Sequence, residues 1–322
     1  MRNLGGFFMP VREVFMPEQY NKPALTFNQQ LAQLKERGLQ VKDEQEALRQ
    51  LSSISYYRLS GYWYPFRQRN AAGKVSSNFI PGTTFDQVIQ LYEFDRKLRS
   101  FVLDALERIE IAVRTRITYH MGHAYGAFAH LDKNNFHPKF DHVTWLAKLE
   151  DEVRRSSDEF IRHYQLKYSG FPHIPVWMLT EVVSFGALSF FFKGLLNDKK
   201  NGVEDKKAVA NYFNLHHKRF GDWLHTLTYI RNVCAHHSRL WNRELAIRPD
   251  KSKDTLWLPP RTPRNDRIFY ILLMLRHLQR CSGNGDHWAS EVTDLLEPVA
   301  ENPAYRAAMG MAPDWKEHPL WK

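Results

Sequence analysis

A chain of 322 residues, 43% hydrophobic and 14% aromatic, has ample material for one large or two ordinary domains, which excludes disorder over most of its length. Lys plus Arg number 45 against 35 Asp plus Glu, and this excess of ten positive charges, with a pI near 9.5, favours a polyanionic partner, nucleic acid first. Only two cysteines occur, Cys234 and Cys281, and no apolar run approaches the roughly 18 residues of a membrane span; a disulfide framework and a transmembrane segment are excluded, and a reducing cytoplasm is expected.

Residues 1–22 read as a tail with Pro10 and Pro17, lacking the features of a signal peptide. Thr26 caps a predicted helix to about Arg37, carrying Leu31 and Leu34 and stopped by Gly38. Asp43 caps a second, with Ala47, Leu48 and Leu51 as its apolar stripe. The segment from Ile54 to Arg67 follows. Its aromatic residues Tyr56, Tyr57, Tyr62, Trp63, Tyr64 and Phe66 interleave with Arg58 and Arg67. Such a block either stacks unpaired bases while the arginines hold phosphates, or packs as an aromatic joint. The joint is the reading taken for most of these residues, with Arg58 the exception. Residues 70–82, rich in Gly, Ser and Asn, read as loop.

Phe85 to about His120 is the clearest helix, with Leu91, Phe94, Leu98, Phe101, Ala105, Ile109 and Ala112 on one face. Glu93 with Lys97, Asp95 with Arg99 and Glu110 with Arg114 are opposite charges at i,i+4, the pattern of a solvated face. Arg96, Arg99, Arg108, Arg114 and Arg116 belong either to that face or to an RNA groove. Helices are expected over 143–168, 177–196, 206–214, 220–239 and about 264–281, with a short one near the C-terminus. Polar loop is expected at 197–205 and proline-rich loop at 249–263. Strand signals are scarce, so the fold is read as all-α. Glu181, alone among apolar residues, is expected to pair with an arginine, Arg231 being the candidate.

The run from Arg231 to Arg243 carries the chemistry. Arginine binds phosphate as a planar, permanently charged fork. Histidine both accepts and donates protons near neutral pH. If residues 220–243 form one helix, Tyr229, Asn232, His236, Arg239 and Arg243 recur three or four apart as a polar stripe. Leu224, Leu227, Ile230 and Cys234 form an opposed apolar one. Arg231 and His236 then lie about 140° apart around the helix, so the arginine must reach round or the helix must bend. His236 and His237 point in different directions and do not make the i,i+4 pair common in zinc sites. Neither a metal nor a cofactor is expected.

Three blocks carry a more specific likeness: Ser55-Tyr56-Tyr57-Arg58-Leu59-Ser60-Gly61-Tyr62-Trp63; Tyr92 to Arg99 continuing to Glu107-Arg108-Ile109-Glu110 and Arg114-Thr115; and Arg231 to Arg243. A weaker fourth is Trp177-Met178 with Glu181 and Ser184-Phe185-Gly186. Arg-x4-His with asparagine after the arginine resembles the signature of HEPN ribonucleases. The ordered set, over about residues 25–245, resembles the Abi-like (abortive infection) bacterial family of the AbiD/AbiF type. The resemblance implies a HEPN-type helical bundle at 85–248, with an N-terminal helical extension (1–84) and a C-terminal helical addition (249–322). It implies a homodimer whose two motifs face one cleft, and metal-independent RNA cleavage in phage defence or as a toxin. His236 would be general base or acid, Arg231 would bind the phosphate, and Asn232 would orient one of them. Arg58, Arg239 and Arg243 would grip RNA, with Glu181 and His237 in support. A small-RNA or protein antitoxin is a further expected partner. The rival reading is a non-catalytic protein that grips a small RNA through the same basic residues.

Overall fold

The computed structural model describes residues 19–196, 204–250, 257, 263–283 and 285–322. The tail before residue 19 and most of the two expected loops at 197–205 and 249–263 lie outside them. The chain divides into two compact units, one up to Ile89 and one from Gln90 onward.

In the first unit, α1 (Phe27–Glu36) opens on a capping box: Thr26 accepts from the Gln29 backbone while the Gln29 side chain reaches back to Thr26. In α2 (Glu44–Ile54), Asp43 accepts from the Glu46 amide at 3.0 Å. Ser55, at φ 76°, closes α2 and caps α3 (Tyr56–Trp63). Residues 70–82 are more than loop. Strands β1 (Arg67–Arg69) and β2 (Val75–Phe79) pair antiparallel across a turn in which Gly73 sits at φ 76°. Only Phe79 of that ribbon is buried, so no alternating apolar pattern announced it. The aromatic block is mainly a joint, as read: Tyr62 and Trp63 are buried, and Trp63 meets Tyr56 and Phe79 edge-on. Tyr57 and Arg58 are exposed.

The second unit is built along α4 (Phe85–Tyr125), a helix of 41 residues, about 60 Å long at 1.5 Å per residue. Leu98, Val102, Ala105, Ile109, Val113, Ile117 and Met121 are its buried seam. The helix expected over 143–168 breaks at Ser156 into α5 (His142–Arg155) and α6 (Glu159–Lys167). The one expected over 177–196 breaks at Ser184 into α7 (Val176–Val182) and α8 (Phe185–Gly194), because the Ser184 hydroxyl caps α8 by accepting from Ala187. After α9 (Asp205–Asn211) come α10 (His217–Ala235), α11 (Ile268–Cys281), α12 (Gly285–Ala300) and α13 (Pro303–Met309). Every residue from Ile268 to Leu275 is buried, as suits a helix apolar on all sides. Trp288 of α12 donates to the Phe101 carbonyl of α4 at 2.8 Å. The all-α expectation holds.

The three expected charged pairs depart from their setting: Glu93 pairs with Arg96 instead of Lys97, and the Glu110–Arg114 pair is half-buried. Asp95 and Arg99 are not on a solvated face: they are 0% and 4% exposed. Asp95 accepts from the Arg99 guanidinium and from the backbone amides of Leu240, at 3.1 Å, and Trp241, at 2.7 Å. The spacing of Leu91, Asp95, Leu98 and Val102 sets the carboxylate within the buried seam. Desolvation is tolerable there because these partners are charged or polarised donors.

Candidate active site at the end of helix α10

Helix α10 buries Phe220, Trp223, Leu224, Leu227, Ile230, Val233 and Cys234. The apolar stripe is thus the expected one, and it turns Arg231, Asn232, Ala235 and His236 to solvent. Burial pushes the Cys234 thiol up to about 12, so it is no nucleophile at neutral pH.

The helix does not continue to Arg243. It ends at Ala235 with His236 as its cap, and His237 adopts φ 53° in the left-handed region. The Ser238 amide donates to the Val233 carbonyl at 3.0 Å and the His237 amide to Cys234 at 2.9 Å. This is a Schellman closure with histidine where glycine usually sits. Arg239 and Arg243 therefore leave the polar stripe, and only Tyr229, Asn232 and His236 of it stay on the helix. Beyond the stop the chain turns under α4, held by Asp95 at Leu240 and Trp241. Both side chains are buried, and Trp241 packs edge-on against Tyr305. Trp241 is a core anchor. Arg243 Nε donates to the Arg239 carbonyl at 2.7 Å and so braces the loop.

His237→Gly provides a check on the closure. Glycine carries no penalty at positive φ, so the variant is expected to keep its melting temperature or gain up to about 1 kcal/mol in stability. Thermal unfolding measures this, and a clear loss of stability would show that the imidazole contributes more than the backbone geometry.

Arg231 Nη1 makes a long contact of 3.4 Å with Asn232 Oδ1. Its charge also acts on Glu110 of α4, which pairs with Arg114 at 2.6 Å. Arg114 in turn donates to the Val183 carbonyl at the α7–α8 break. Burial pushes the Glu110 carboxyl above the usual carboxylate range, against the opposing pull of Arg114 and Arg231. Glu110 is thus the acidic neighbour of Arg231. The expected partner, Glu181, is exposed and makes no ion pair with it; Glu181 lines a shallow pocket with Phe160, Tyr164 and Trp177. A carboxylate turned to solvent pays no desolvation cost and needs no arginine.

The arginines of α4 do not form one groove. Arg99 is buried, Arg96 and Arg108 pair with Glu93 and Asp104, and Arg116 lies 3.5 Å above the Tyr212 ring. A groove of about 630 Å³ between α5, α8 and α10 is lined by Lys139, Lys148 and Lys193, by the carboxylates Asp141 and Glu152, and by Phe190, His225 and Thr228 among others. His225 and Thr228 lie on the exposed side of α10, the helix that ends at His236. None of the three lysines forms an ion pair with a described residue, and the Phe190 ring is 55% exposed. Three separate elements contribute the lysines, so no sequence motif marks them. Among the described residues, no three His, Cys, Asp or Glu side chains cluster to hold a metal, and no helix is long and apolar enough to cross a membrane.

The sequence model of the Abi-like protein family matches residues 49–242, more than half of the chain. The chain belongs to that family. The match starts within α2 and ends just past the Asp95-bound Trp241. The aromatic joint, the α4 seam, the Ser184 break and the α10 terminus therefore all lie in the Abi-like part, whereas α11 to α13 follow it. No match was found among curated proteins or solved structures.

Proposed function

We propose that this Abi-like protein is a metal-independent HEPN-type endoribonuclease acting in defence against phage, with Arg231, Asn232 and His236 as its catalytic set. The observation that carries this reading is the exposure of all three side chains around the end of α10, a helix that otherwise buries its face. In the reaction, the ribose 2′-oxygen attacks the adjacent phosphorus as its proton passes to a base. The bond from phosphorus to the 5′-oxygen breaks, and an acid protonates that oxygen. The products are a 2′,3′-cyclic phosphate and a 5′-hydroxyl. Arg231 binds the phosphate and stabilises charge on its oxygens. Asn232, beside it, orients the arginine or the phosphate.

Base and acid are two roles, and one histidine fills only one at a time. A homodimer that abuts the two α10 ends supplies two copies of His236, one for each role. The lysines near His225, on the helix that carries the site, support an RNA path toward it, with backbone phosphates on the lysines and a base on Phe190. They also support the rival reading, in which RNA is gripped and never cut.

Variants at two positions separate these readings. Arg231→Ala is expected to lower kcat by about 10²–10³-fold, and Arg231→Lys to restore little of it, since lysine lacks the planar fork. His236→Ala is expected to bind RNA nearly as well as wild type while failing to cut it. Single-turnover cleavage and filter binding on one labelled RNA measure both. A protein that binds RNA, loses affinity with Arg231→Ala and never cuts would be the binder. Mixing wild type with an excess of His236→Ala tests the shared site: activity per wild-type chain falls if one cleft needs both copies of His236, and stays unchanged if each site is confined to one chain.

A further inference from the structure

The N-terminal unit holds a cavity of about 660 Å³, within the range of small-molecule sites, that the nuclease reading leaves unused. Lys22, Arg37 and Arg67 line it, and no carboxylate does. Two guanidiniums crowd a single neutral oxygen there. Arg37 Nη1 donates to the Tyr56 hydroxyl at 3.0 Å, that hydroxyl donates to Gln33 Oε1 at 3.0 Å, and Arg67 is held close to the same phenol. Arg67 stacks on the Phe79 ring at 4.3 Å, and its Nη1 is buried with no acceptor. Burial and the neighbouring Arg37 push the Arg67 guanidinium below its ordinary value, the mark of a cation short of counter-charge. A second polar atom is also orphaned. Gln30 Nε2 donates to the Leu25 carbonyl at 2.9 Å, which fixes the amide and leaves its Oε1 buried with no donor. Unpaired buried polar atoms are costly, and these two, of opposite kind, belong to side chains that line one cavity. The Tyr20 ring, 80% exposed, stands at its edge.

We propose that this cavity binds a 5′-phosphorylated nucleoside, its phosphate between Arg37 and Arg67 and its base beside Tyr20, with an exocyclic amine donated to Gln30 Oε1. Arginine forks suit phosphate oxygens, and the empty volume far exceeds what a bare phosphate fills. The group can arrive as a free nucleotide or as the 5′ end of an RNA. The site is independent of His236.

Isothermal titration of the full chain tests this with AMP, UMP, adenosine and a 2′-O-methyl trinucleotide carrying or lacking a 5′-phosphate. Either AMP or the phosphorylated trinucleotide is expected to bind, which also identifies the source. Adenosine and the unphosphorylated trinucleotide are expected not to bind, and UMP to bind more weakly than AMP. Arg67→Gln should weaken binding at least tenfold, and Gln30→Leu should erase the preference for AMP over UMP. Lys22→Ala, at an exposed residue, should weaken binding severalfold in a protein of unchanged melting temperature, which keeps the test valid if Arg67→Gln unfolds. His236→Ala should bind as wild type, so failure of the nuclease reading leaves this result untouched. The proposal is overturned if neither phosphorylated probe binds, or if Arg67→Gln and Lys22→Ala both leave the affinity unchanged.

Discussion

His236→Ala is expected to lower RNA cleavage by about 10²–10⁴-fold, the usual contribution of a placed histidine to proton transfer. The fold should survive. His236 is exposed, and the bonds closing α10 run between backbone atoms of Asn232, Val233, Cys234, His236, His237 and Ser238. Initial rates on an end-labelled RNA, taken in chelator beside a circular-dichroism melt, separate lost chemistry from lost structure. A variant that melts like wild type and cuts within about threefold of its rate would remove His236 from the mechanism, since a general acid or base is worth at least about 10².

Asp95→Ala should have the largest effect on stability. It removes the carboxylate that pairs with buried Arg99 and strips the Leu240 and Trp241 amides of that acceptor. Breaking one side of such a buried pair costs about 3–5 kcal/mol. For a chain of this size that corresponds to a fall of roughly 4–7 °C in melting temperature. Cleavage should fall with it, because the loop anchored by Asp95 follows directly on His236. Asp95→Leu combined with Arg99→Met removes both charges, and it should be less destabilised than Asp95→Ala alone. Thermal unfolding of the three proteins decides. Equal melting temperatures for wild type and Asp95→Ala would mean that this pair does not hold the loop.

Features written in local chemistry were legible in the sequence. Thr26 and Asp43 cap the helices they announce, and the α4 seam follows its 3.6-residue period. The outward placement of Asn232 and His236 was also legible, from the apolar stripe opposite them. The end of α10 was not. Its stop is a histidine in the left-handed region, and only glycine or asparagine there advertises a stop. Asp95 and Arg99 misled because an i,i+4 ion pair reads alike in solvent and in a core; what buries this one is the pair of amides at Leu240 and Trp241, about 145 residues downstream. Glu110 was hidden for a related reason, its pairing with Arg114 being local while its nearness to Arg231 is tertiary. The lysine groove assembles from α5, α8, α10 and the segment before α5, and no linear pattern encodes it.

Mapping RNA ends most directly tests the catalytic assignment. RNA from cells expressing the wild-type chain should acquire new 5′-hydroxyl and 2′,3′-cyclic phosphate termini, absent from cells expressing His236→Ala, and purified protein should make the same cuts in chelator. No new termini, 5′-phosphate termini, or identical cuts from His236→Ala would each contradict it.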